Sequence, residues 1–197
     1  ATRVSDGGET LWAANVSADQ VNGAIAWRPG AGSGSGRISA RLSRLAIPEG
    51  PRTQVAELLD APPRNVPGFD VVADSFELGG KSLGRLELVA VNGGSPAQPV
   101  WSLQKLALTT PEARMNASGS WQREPGQTAR RMAMTFALEF SNAGALLARL
   151  GIPDALSGGQ GKLEGDLTWR GSPLAIHFPT LGGQLKLNTS KGQFLKA

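Results

Sequence analysis

Apolar and polar residues alternate along much of the chain, and the alternation is cleanest from Arg131 to Phe140. There Met132, Met134, Phe136, Leu138 and Phe140 take one side and Ala133, Thr135, Ala137 and Glu139 the other, the period of a strand with one dry and one wet face. At roughly 3.4 Å per residue the apolar row covers about 27 Å. Leu163, Gly165, Leu167 and Trp169 alternate with Lys162, Glu164, Asp166 and Thr168 in the same way. After a turn at Gly171-Ser172-Pro173, the residues Leu174, Ile176 and Phe178 predict a further strand. Earlier in the chain, two short strands are expected between Thr10 and Trp27 around the polar turn Ser17–Gln20. A hairpin is expected from Phe69–Leu78 and Leu86–Val91, and another pair from Trp101–Thr109 and Arg114–Trp121.

Ile38 to Ile47 also alternates, but its phase slips at Ser43-Arg44: Ile38, Ala40 and Leu42 are even, Leu45 and Ile47 odd. The pattern recurs as Leu83-Gly84-Arg85-Leu86-Glu87-Leu88 and Leu103-Gln104-Lys105-Leu106-Ala107-Leu108, which predicts a recurring bend or bulge. At Leu83 the preceding Gly79-Gly80-Lys81-Ser82 points to a turn as its cause. Helical periodicity is confined to two short stretches. Residues 142–150 carry Leu146, Leu147 and Leu150 on one side, with Ser141 as N-cap and Gly151 and Pro153 as stop. Residues 52–60 carry Val55, Leu58 and Leu59, stopped by Pro62-Pro63. A helix of that length cannot hold itself up in water, so the leucine face of 142–150 must lie on the strands beside it.

Tryptophan marks strand ends. Trp27, Trp121 and Trp169 each follow a small residue four positions earlier (Gly23, Ala117, Gly165), and they stand 94 and 48 residues apart, the spacing of a stacked array with a unit of roughly 45–50 residues. The fold class expected is mainly β: curved antiparallel sheet or sheets forming an open groove or a sandwich-like array, with two short helices. The chain reads as one elongated β-rich fragment, residues 1–197, of a larger protein, with 1–125 and 126–197 as candidate sub-blocks.

The run ARLGIPDALSGGQGKLEGDLTWRGSP closely resembles the AsmA-like repeat of large Gram-negative envelope proteins, above all those of the YhdP type. The resemblance is strongest over 141–195 and extends more loosely through FDVVADSFELGGKSLGRLELVA (69–90) and WSLQKLALTTPEARMNASGSW (101–121). The motif is structural, with Gly165, Trp169, Gly171, Pro173, Trp121 and Trp27 as packing positions, and it carries no catalytic residues. The resemblance implies a periplasmic segment of a protein anchored in the inner membrane by a helix outside this fragment. It further implies a long β-groove that conducts phospholipid toward the outer membrane. On that reading Met132, Met134, Phe136, Leu138, Phe140, Leu163, Leu167, Leu174, Ile176 and Phe178 line the groove, and phospholipid acyl chains are the partner.

Composition fits this picture. Gly 26 and Pro 13 exceed average usage and favour short strands and turns over long helices. With no Cys, a disulfide framework, a thiolate zinc site and a cysteine nucleophile are excluded. No apolar run reaches the roughly 20 residues of a membrane-spanning helix, and ATRVSDGGE lacks the basic start and apolar core of a signal peptide. The net charge of +4 invites a nucleic-acid reading, but Arg41, Arg44, Arg85, Lys105 and Lys162 stand singly between apolar residues and Arg130-Arg131 is the only adjacent basic pair, so a solvated face is expected and no nucleic-acid partner. RPGAGSGSGR lacks the Gly-Lys-Ser/Thr of a phosphate cradle and reads as a loop. His177 is the only histidine and is expected on the wetter face of a strand. Asp70 and Asp74 share a phase that Glu77 does not, so they form no converging carboxylate pair. No enzyme, metal or cofactor is expected. The alternative to lipid handling is a non-enzymatic structural or protein-interaction module, in which the chain itself covers the dry face of 131–140.

Overall fold

Chain order and sheet order coincide. The computed structural model describes residues 2–6, 9–30, 36–48, 67–95, 97–124, 130–171, 173 and 176–195, and the side chains of all of these except 2–6, 9, 10 and 194. Eleven strands form one sheet: β1 (Thr2–Asp6), β2 (Glu9–Ser17), β3 (Val21–Arg28), β4 (Arg37–Ile47), β5 (Gly68–Leu78), β6 (Lys81–Gly94), β7 (Pro99–Thr109), β8 (Ala113–Arg123), β9 (Arg130–Phe140), β10 (Leu156–Arg170) and β11 (Gly182–Phe194). Each pairs with its neighbours in sequence, and β1 and β11 are the two edges. Helix α1 (Ala143–Arg149) and a 3-10 turn (Phe178–Thr180) are the described helical elements. The expected helix at 52–60 and the loop at 31–35 lie outside the described residues, as does Leu174.

All pairings are antiparallel except β4 with β5, which run parallel with Arg37 opposite Gly68 and Ile47 opposite Leu78. The sheet is thus mostly antiparallel, as expected, with one parallel step that the sequence does not announce. Both strands alternate like their neighbours, so periodicity carries no trace of direction.

The phase slips are bulges. Asn22 faces Arg44 while Gly23 faces Leu42, which leaves Ser43 as the extra residue. In β7, Lys105 faces Val89 and Leu103 faces Ala90, so Gln104 is extra. Near Leu83 the register shifts twice around Phe76, which faces Gly84. Gly84 has φ +75°, and a Cβ there would lie 2.1 Å from the Thr109 carbonyl oxygen, so only glycine lets β6 and β7 approach so closely. The turn foreseen before Leu83 is present at Gly79-Gly80, and the irregularity continues beyond it into the ladder.

Two expectations near the C-terminal part change. Residues 176–178 are not a strand: Ile176 and His177 are irregular, and Phe178 opens the 3-10 turn with Pro179 in its first positions. Pro179 has no N–H to give a ladder, which accounts for the loss of the strand despite the alternation. The chain instead returns as β11, thirteen residues whose strand pattern is diluted by glycine and polar residues. At α1 the N-cap is Asn142, whose side-chain oxygen accepts from Ala145 N at 3.0 Å, and not Ser141. The Ser141 backbone N–H and hydroxyl both donate to the Glu112 carbonyl oxygen, at 2.9 and 3.2 Å, so that residue ties β9 to the β7–β8 turn.

The tryptophan spacing is not a structural period. β3 and β8 are five strand steps apart, whereas β8 and β10 are two steps apart with α1 between β9 and β10. The strand-end placement does hold for Trp27, Trp121 and Trp169.

Candidate functional site

Directly opposed residues in a sheet share a face, so the register defines one surface. One row runs Ala14, Ile25, Ala40, Val71, Leu88, Leu106, Ala117, Phe136, Gly165, Leu185 across ten consecutive strands. The next runs Gly23, Leu42, Ala73, Leu86, Leu108, Met115, Leu138, Leu163, Leu187. Nine steps of about 4.8 Å give a surface about 43 Å across. Neither row contains a charged residue.

No second sheet covers this face among the described residues. Its burial is graded. Trp121 (0 % exposed), Met132 (1 %) and Trp169 (2 %) are fully buried at one end, with Trp101 and Leu103 beside them. Along the rest of β9, Met134, Phe136, Leu138 and Phe140 are half-buried, as are Leu163 and Leu167 on β10. On β11, Leu185 (62 %) and Leu187 (59 %) are exposed. A second buried cluster, on the same face, centres on Ala40, Leu42, Ala73, Phe76 and Leu86.

The glycines of β10 shape the surface. A Cβ at Gly165 would lie 2.9 Å from Phe136 Cε1 and 2.5 Å from Leu185 Cδ2, and one at Gly161 would lie 3.0 Å from Phe140 Cζ. The β9 phenylalanines therefore lean over bare backbone on β10. Gly165 thus makes room for Phe136 and Leu185.

The opposite face is charged and paired. Arg41 bridges Asp70 at 2.9 Å, Arg44 bridges Glu77 at 3.0 Å, Lys105 bridges Glu87 at 2.6 Å, Lys162 bridges Glu164 at 2.8 Å, and Arg85 bridges Asp74. Hydrogen bonds from Lys105 and then Arg85 hold the Glu87 carboxyl below its ordinary value, and Lys162 does the same for Glu164. These exposed pairs contribute little stability each, but they neutralise the face they cover. Asp70, Asp74 and Glu77 are thereby occupied as ion-pair partners. His177 sits off the sheet, its Nδ1 2.9 Å from Thr180 Oγ1. Among the described residues no group of His, Cys, Asp and Glu is placed to hold a metal, and no helix is long and apolar enough to cross a membrane.

Helix α1 is clamped at the end of the sheet away from the tryptophans. Arg149 donates to both carboxylate oxygens of Glu112, to Oε2 at 3.1 Å, and reaches the Ser82 carbonyl at 3.4 Å. Glu112 is 8 % exposed. The Arg149 hydrogen bonds hold its carboxyl below the ordinary 4.5, so its contribution is present above that value and is lost as pH falls through the lower folded one. Arg149→Ala should cost about 1.5–3 kcal/mol at pH 7, the range for hydrogen bonds to a charged partner. In Glu112→Gln the acid-side fall in stability below about pH 4.5 should be shallower. Urea unfolding at pH 7 and pH 3.5 checks both, and equal slopes in wild type and Glu112→Gln would exclude the pair as the source.

The YhdP protein family matches the chain over residues 1–197. The chain belongs to the YhdP family. No curated protein and no solved structure matches it. Membership of YhdP agrees with an envelope protein of a lipid-transport class, as the resemblance implied. Against the positions expected from the YhdP-type resemblance, the structure brings Met132, Met134, Phe136, Leu138, Phe140, Leu163 and Leu167 onto one face. It leaves Ile176 (45 % exposed) and Phe178 (76 %) off the sheet at its tryptophan end. Gly171 has φ +101° and turns the chain, its carbonyl accepting from Trp121 Nε1 at 2.8 Å, and Pro173 lies in the same turn. Trp27 is half-buried at the end of β3. Sequence reasoning missed the share of β2–β7 in this face. The signal was available in the repeated even-phase leucines, but only register shows that separate strands put them on one side.

Proposed function

We propose that the apolar face is a groove for phospholipid acyl chains, in a periplasmic segment of an envelope protein that moves lipid between the inner and outer membranes. The observation that carries it is the uncharged apolar row running across ten strands, with no second sheet over it among the described residues. A surface of that extent would be expelled from water unless another apolar partner meets it. Each methylene moved from water onto such a lining contributes about 0.8 kcal/mol, so a single acyl chain supplies enough driving force without any covalent step. The ion-paired opposite face meets water. The chain works by binding and not by catalysis, and its membrane attachment lies in other parts of the protein.

A photoactivatable residue placed in turn at positions 134 to 139 tests this. Cross-links to lipid in cells should appear at Met134, Phe136 and Leu138 and be absent at Thr135, Ala137 and Glu139, a period of two that matches the faces of β9. Uniform labelling, or none on either face, would reject the groove.

A further inference from the structure

Positive charge is not spread evenly along the chain. From Leu167 to Ala197 the sequence has four basic residues, Arg170, Lys186, Lys191 and Lys196, and no carboxylate. Taking those four from the 20 Lys and Arg leaves 16 against 16 Asp and Glu, so the net charge of +4 lies wholly in this stretch. Nothing in it repels an anionic surface.

The connection from β10 to β11, in the same stretch, carries exposed apolar side chains. Phe178 is 76 % exposed, the highest value among the large hydrophobic residues described, and Ile176 and Leu181 on either side of it are exposed as well. The turn is held in place. Thr180 Oγ1 accepts from the Arg170 backbone N–H at 3.0 Å and lies 2.9 Å from His177 Nδ1, while the Leu181 N–H donates to the Phe178 carbonyl at 3.1 Å. Phe178 is therefore presented to solvent on a fixed turn at the end of the sheet, off its apolar face. Guanidinium groups stand at the same end. Arg170 and Arg131 oppose each other across β10 and β9 and share one carboxylate, Glu124, at 3.7 and 3.0 Å, and Arg123 is exposed on the last residue of β8.

We propose that the β10–β11 connection docks on an anionic lipid bilayer, with Phe178, Ile176 and Leu181 entering the interface and Arg170, Arg131 and Arg123 lying over the phosphates. Apolar tips on a short turn need no shaped pocket to receive them, and a bilayer interface takes up their buried area while its anionic head groups attract the bases beside them. The contact is reversible, because one short turn buries few methylenes, and it is additional to any anchor elsewhere in the protein. It stands apart from the groove, since the turn is no part of the apolar row.

Cosedimentation of the purified chain with two kinds of vesicle, phosphatidylcholine alone and equimolar phosphatidylcholine and phosphatidylglycerol, tests this. The chain should bind the anionic vesicles, and less so as salt is raised. Phe178→Ser should weaken that binding about tenfold by withdrawing one aromatic side chain from the interface, and Phe178→Trp should retain it. Both variants should melt like wild type, because the side chain is exposed. Arg170→Gln should weaken anionic binding about fivefold, the effect of one basic residue near such a surface. Ile152→Ser, exposed near the other end of the sheet, should change nothing. Equal binding to both vesicles, or full binding by Phe178→Ser, overturns the proposal. Binding that survives Phe178→Ser but is lost in Phe136→Asp would mean that the sheet face itself meets the bilayer, so that the docking turn is wrong while the groove stands. Absence of binding to either vesicle would also overturn it and leave the turn to a protein partner.

Discussion

Trp121→Ala should lower stability by about 3–5 kcal/mol, the range for emptying a buried aromatic site. The ring is fully buried, faces Trp101 on one side and Met132 on the other, lies under Arg130, and anchors the turn after β10 through Gly171. Removing it opens a cavity among three strands and strands the Gly171 carbonyl at once. Equilibrium urea unfolding reads the change as a shift of midpoint at constant slope. Trp169→Ala, in a residue 2 % exposed, should fall in the same range. A loss under about 1 kcal/mol at either position would mean that the tryptophan end is not a packed core.

Phe136→Asp should have the opposite character: a large effect on lipid and a small one on folding. Phe136 is half-buried at the middle of the apolar row, so a carboxylate there can still reach water when the face is empty. The variant should melt close to wild type and carry much less lipid through extraction and mass spectrometry, since the charge would have to be desolvated against acyl chains. Were the position closed core, the same carboxylate would be buried without a partner at a cost of several kcal/mol, and the chain would unfold. Unfolding would therefore favour the structural-module reading, and a folded variant with undiminished lipid would remove β9 from the groove.

Strand periodicity was legible wherever side chains alternate, and bulges were legible where the alternation slips, as at Ser43 and Gln104. Both are local properties of the backbone. The parallel step from β4 to β5 was not legible, because a strand shows the same alternation in either direction. Residues 176–178 alternate yet leave the sheet, since Pro179 cannot donate to a ladder. Most of β11 was not legible for the converse reason: Gly182 and Gly183 and the polar run at Asn188–Ser190 weaken its pattern, and its pairing with β10 supplies the order that its own residues do not. For the candidate site, each dry face could be read singly. The union of those faces depends on register.

The sequential strand order also governs how the molecule comes apart. The substantial contacts between strands are all between consecutive ones, with α1 alone reaching back to β6. Stability in such an array is close to a sum over neighbouring interfaces, so opening can start at β1 or β11 and advance inward strand by strand. Most of these interfaces close a short loop. The β4–β5 seam is the exception, because Arg37 must meet Gly68 across a much longer stretch of chain. Closing that interface therefore carries the largest chain-entropy cost in the sheet, which the buried cluster of Ala40, Leu42, Ala73, Phe76 and Leu86 across the seam offsets.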